Sequence, residues 1–129
     1  MTHSELIDAL RENRARDFMD GVFELGVAGE RGPDVELDWH LGAIDRWVLD
    51  LEAAAAETFV ADEWAGLCRD RSALEFFREL WPEWADRWDL EALDSTLRLR
   101  GERDALLDPA AIPAGVPRSH WWWWCAQAP

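Results

Sequence analysis

The chain has no lysine, no tyrosine and a single asparagine, Asn13, so all 13 of its basic side chains are arginines. Codons for the missing residues are rich in A and T, and this bias fits a GC-rich genome. Cysteine is scarce as well. Cys68 and Cys125 are the only two, too few for the disulfide framework of a small secreted domain. No window approaches the eighteen or so uninterrupted apolar residues of a membrane span. Met1 to Leu10 contains Glu5 and Asp8 and no unbroken apolar run, so it does not read as a signal peptide. These absences predict a cytoplasmic protein with reduced thiols and no membrane partner. The chain also lacks a glycine-rich phosphate loop, a CxxC pair and a basic patch interleaved with aromatics, which removes nucleotide and nucleic-acid binding as readings. No repeat recurs at a solenoid period, and strand-like alternation is missing outside the last residues.

What is present suits one folded domain of 129 residues: 49% of residues are hydrophobic and 31% charged. The 27 acidic side chains against 13 arginines leave a net charge of −14. That charge disfavours phosphate backbones and anionic membranes and favours encounter with a basic protein partner. Adaptation to high salt gives the same composition. Ten tryptophans are present, and the absence of tyrosine accounts for part of that excess. It does not account for four in succession.

The pattern predicts an all-α fold, a small bundle of four to five helices over residues 1–107, followed by a Pro-rich extended C-terminal segment over 108–129. Thr2 and Glu5 have the capping-box spacing, so a helix begins at once and runs on through Leu25, ended by Gly26, Gly29, Gly32 and Pro33. Leu37, Leu41, Ile44, Val48, Leu51, Ala55 and Phe59 form the clearest amphipathic stripe and mark the central core helix. Val60, Trp64, Leu67 and Cys68 continue as a short helix, with Cys68 a packed core thiol. Ser72 and Glu75 repeat the capping-box spacing and predict a new helix start. Pro82 predicts a kink or a fresh start. Asp89 reads as an N-cap for a last helix from Leu90 to about Leu107. Pro109, Pro113 and Pro117 then make an extended connector.

The end of the chain, Arg118-Ser-His-Trp-Trp-Trp-Trp-Cys-Ala-Gln-Ala-Pro129, is the candidate site. Extended, it would point Trp121 and Trp123 one way and Trp122 and Trp124 the other; helical, it would fan four rings through about 300°. Either geometry lets one surface bury about half of them. Each indole carries roughly 150 to 250 Å² of buriable area, so two left outside already make a large apolar patch. Arg118, His120, Trp121, Trp122, Trp123 and Trp124 are therefore the candidate binding residues.

Catalysis finds no residue-level support. Ser119 and His120 are neighbours whose side chains diverge in an extended chain, which is not a nucleophile and base. Glu36 and His40 share a helix flank, but a metal site needs further ligands. His120 and Cys125 are likewise only two, so neither metal nor cofactor is called for. The preferred reading is a small acidic protein-interaction module of inhibitor, immunity or adaptor type, anchored by the Trp tail and able to form a homodimer through it. One alternative is a ribosomal precursor peptide with a helical leader and a Trp/Cys-rich modified segment. Another is a binder of an apolar or aromatic small molecule in a Trp-lined cleft.

Overall fold

The computed structural model describes residues 1–31, 37–57 and 61–129. The described residues contain six helices: α1 (His3–Arg11), α2 (Ala15–Ala28), α3 (Leu37–Ala56), α4 (Trp64–Leu80), α5 (Pro82–Ala85) and α6 (Leu90–Asp104). Single 3-10 turns lie at Ala61–Glu63, Pro109–Ala111 and Trp121–Trp123. The all-α class holds, since the described residues contain no strand and only one isolated bridge, between Leu106 and Gln127. None of the helices is long and apolar enough to cross a membrane.

Thr2 caps α1 as its spacing predicts, with its side chain accepting from the Glu5 amide and the Glu5 carboxylate returning to the Thr2 amide. The single helix expected through Leu25 is two, because the chain reverses at Asn13. That residue sits at φ 61°, in the left-handed region that asparagine tolerates better than most. The amides of Asn13 and Arg14 bond back to Leu10 at 3.0 Å and Ala9 at 2.7 Å, closing the last turn of α1 as a Schellman motif. Gly29 ends α2 in the same way at φ 75°, with bonds from Gly29 to Gly26 and from Glu30 to Leu25. Gly26 itself is inside α2, where a Cβ would lie 2.0 Å from Phe76 Cγ; the missing side chain lets α2 and α4 press together. Gly32, Pro33, Glu36, Phe59 and Val60, to which the sequence assigns boundary, pairing or core roles, lie outside the described residues.

The stripe Leu37, Leu41, Ile44, Val48, Leu51 and Ala55 is buried along α3, as its spacing predicts. Ser72 overturns an expectation: it does not start a helix but lies at the middle of α4, fully buried. The Ser-x-x-Glu spacing is shared by a capping box and by one turn of helix interior, and here Arg69–Arg71 upstream already continue the helix. Pro82 does interrupt, taking the first position of α5 after Trp81 leaves helical geometry at φ −133°. Asp89 caps α6, its carboxylate accepting from the Ala92 amide at 3.0 Å. α6 stops at Asp104, short of Leu107, because residues 105–107 turn extended and bond to the end of the chain. Gln127 donates to Ala105 at 3.2 Å and accepts from Leu107 at 2.9 Å.

That pairing changes the course of the C-terminal segment. Instead of reaching away, residues 108–119 loop back with Ile112 and Val116 half-buried against the core, and they seat the Trp turn against α4 and α6.

Candidate functional site

The four indoles adopt neither of the two geometries considered for them. His120 to Trp124 form a 3-10 turn, with Trp123 donating to the His120 carbonyl at 3.3 Å and Trp124 to the Trp121 carbonyl at 2.9 Å. A 3-10 helix has three residues per turn, so positions i and i+3 eclipse. Trp121 and Trp124 thereby share the outer side while Trp122 and Trp123 share the inner one. His120, Trp122 and Trp123 are buried, Trp121 is half-buried and Trp124 is exposed.

The inner half rests on Ser72. Its Oγ accepts from both Trp122 Nε1 and Trp123 Nε1 at 2.8 Å and lies 2.9 Å from His120 Nδ1. A serine hydroxyl offers two acceptor sites and one donor. With both acceptor sites occupied by indoles, its proton goes to Nδ1, which places the His120 proton on Nε2. The imidazole lies between Phe76 and Trp122, with ring centroids 4.8 Å away on each side. Burial is the main reason that its pKa is held down to about 4, with Arg71 adding to the effect and Glu75 opposing it. Ser72 and His120 are thus paired as a nucleophile and base would be, but the oxygen is buried and its lone pairs are taken. The arrangement fastens the tail.

A second anchor is the Trp122 carbonyl, which accepts from Trp64 Nε1 at 3.0 Å, Cys68 Sγ at 3.2 Å and Cys125 Sγ at 3.7 Å. Gly101 on α6 makes this packing possible, because a Cβ there would lie 2.5 Å from Cys125 Sγ and 2.7 Å from the Trp64 ring. Arg71 is the third. It is buried on α4, grips Asp94 of α6 side-on at 2.7 and 3.0 Å, reaches Glu75 at 3.3 Å, and stacks over Trp122 at 4.5 Å. Burial alone would raise the pKa of Glu75, but Arg78 and Arg71 outweigh it and hold that carboxyl below its ordinary range. A buried cation satisfied by two carboxylates and an aromatic face is stable where an unpaired one is not.

The outer half is a shelf. The Arg98 guanidinium stacks on Trp121 at 4.4 Å and that of Arg118 on Trp124 at 4.6 Å. Among the described residues neither has a carboxylate at ion-pair distance. Between them is a surface hollow of about 270 Å³ bounded by Arg98, Glu102, Arg118, Trp121, Trp124 and Cys125. It adjoins a hollow of about 440 Å³ that shares Arg98 and Trp121. Of the residues singled out from sequence, Arg118, Trp121 and Trp124 meet at this shelf, and His120, Trp122 and Trp123 are its foundation. Sequence reading missed Ser72, Arg71 and Arg98, whose only signal is their placement on helices that turn out to face the tail. His40 remains on α3, far along the chain from these groups, and its partner Glu36 lies outside the described residues. Among the described residues no three His, Cys, Asp or Glu side chains converge as metal ligands.

No protein-family model, curated protein or solved structure matches the chain.

Proposed function

We propose that the chain is a small acidic protein-interaction module of inhibitor, immunity or adaptor type, acting in the cytoplasm, with the outward half of the Trp tail as its anchor. One observation carries the reading: the 3-10 turn delivers Trp121 and Trp124 to a single side, each with an arginine on its face, above a buried foundation that holds them in place. Tryptophan and arginine dominate interface hot spots. Rings already fixed in position lose little further freedom on binding, which leaves more of their burial as affinity. The surrounding carboxylates steer a basic partner toward the shelf and set the salt dependence of its on-rate.

A second contact surface is favoured by Trp39, which is 84% exposed on α3 beside the acidic positions of that helix. The two surfaces separate by capture from the source cells, followed by titration of the recovered partner. Trp121→Ala with Trp124→Ala should weaken binding about thirtyfold or more, the equivalent of about 2 kcal/mol. Trp39→Ala should leave it within a few-fold. Undiminished binding by the double variant rejects the shelf, and loss in Trp39→Ala moves the anchor to α3. Self-association through the same two rings would appear as a concentration-dependent sedimentation coefficient that the double variant lacks.

A further inference from the structure

The two cysteines are 57 positions apart in the chain, one on α4 and one in the last five residues, and both are free thiols. Their sulfurs nevertheless converge on one atom, the Trp122 carbonyl oxygen, at 3.2 Å from Cys68 and 3.7 Å from Cys125. The gap between the sulfurs therefore cannot exceed those two distances combined. The helix beside them carries Gly101, so no Cβ occupies the space into which Cys125 Sγ projects. If the thiols turned toward each other, the carbonyl would still accept from Trp64 Nε1 at 3.0 Å, and no buried acceptor would be orphaned.

We propose that Cys68 and Cys125 are an intramolecular disulfide site, and that oxidation there locks the Trp turn to α4. The assignment is independent of any partner for the shelf. The oxidant class is a low-molecular-weight disulfide such as glutathione disulfide. Cys125, half-buried at the edge of the surface hollow, is the thiol within its reach, whereas Cys68 is buried. The Cys125 thiolate attacks one glutathione sulfur and expels a glutathione thiolate. The Cys68 thiolate then attacks Cys125 Sγ and expels the second. Two electrons pass from the cysteine pair to the oxidant, and the two cysteine protons end on two reduced glutathiones. Burial, reinforced for Cys125 by Glu102, pushes that thiol up to about 11, and Cys68 is raised further still. Exchange is therefore slow at neutral pH, so the pair is not a rapid sensor.

The test is an equilibrium one. The reduced full-length chain is brought to equilibrium in glutathione redox buffers, once under native conditions and once in concentrated guanidinium chloride, then acid-quenched. The oxidised fraction is read from intact mass, and the linkage from the tryptic pair containing Trp47–Arg69 and Ser119–Pro129. The equilibrium constant for the internal disulfide should be at least about thirtyfold larger in the native chain than in the denatured one, the lower end of what native disulfides give. Equal or smaller native values overturn the proposal, because the fold would then not favour the bond. So does a native end product in which Cys125 stays glutathionylated while Cys68 remains free, or one made only of Cys125-linked dimers. Cys68→Ser and Cys125→Ser should each abolish the linked tryptic pair.

Discussion

Ser72→Ala is the most economical probe of the docked tail. In an ordinary helix interior it would be mildly favourable, since alanine exceeds serine in helix propensity by roughly 0.5 kcal/mol. Here it removes the one oxygen shared by Trp122 Nε1, Trp123 Nε1 and His120 Nδ1, at 2.8, 2.8 and 2.9 Å. Each buried polar group left without a partner costs about 1 to 3 kcal/mol. Three such groups at the low end of that range, less the propensity gain, give a net loss of about 2.5 kcal/mol. With a urea slope of about 2 kcal/mol/M, the unfolding midpoint should fall by at least ~1 M. Far-UV circular dichroism and tryptophan fluorescence should report the same midpoint. Trp123→Phe removes one of the two indole donors to Ser72 while keeping a ring in place, so the double variant should be less destabilised than the sum of the singles by about 1 kcal/mol. A midpoint shift under ~0.3 M, or strict additivity, would refute a tail seated on Ser72 in solution.

The tail should divide into foundation and shelf: Trp122→Ala should cost about 3 to 5 kcal/mol, as for other buried aromatics, while Trp124→Ala should change stability by less than about 1 kcal/mol, both read by urea denaturation. Equal losses at the two positions would contradict the in-and-out division. Gly101→Ala should lower the melting midpoint despite a helix-propensity gain of about 1 kcal/mol, because its Cβ would meet Cys125 and Trp64. A rise would mean that the tail is not pressed against α6. For pH, the folded state favours neutral His120, with a pKa near 4 against an ordinary 6.5. Its contribution is complete above pH 6.5 and is lost as pH falls toward 4, by up to about 3 kcal/mol. Asp70 acts with the opposite sign: burial above all, and Asp20, push its pKa up to about 6 from an ordinary 3.8, against Arg16 and Arg69. Folding therefore favours its protonated form, and it adds stability as pH falls through 6. Asp70→Asn should be more stable than the parent at pH 7 and should lose stability more steeply between pH 6.5 and 4. Urea midpoints across that interval check both signs, and parallel profiles would reject the opposition.

The features that the sequence determined by itself are those whose causes lie within one or two turns of chain. Thr2 with Glu5, Asp89 with the amide three residues on, Pro82 at a helix start and the Leu41, Ile44, Val48, Leu51 stripe each depend on neighbours a few positions away. The Asn13 reversal belongs to the same class, for a lone asparagine between two helical phases is a local signal, even though the apolar spacing alone continues past it as one helix. The Ser72 spacing shows the limit of such signals, because the same four residues serve equally as a cap or as a helix interior. What only the tertiary structure decided is the fate of the tail. Its four identical side chains carry no information about which face the core. That choice comes from a 3-10 turn closed by backbone bonds and from Ser72, Trp64, Cys68 and Arg71, which lie 48 to 58 positions upstream of their partners in the turn. Hydrogen bonds across such separations depend on where α4 lies relative to α6, and helix placement is set by the packing of the whole core.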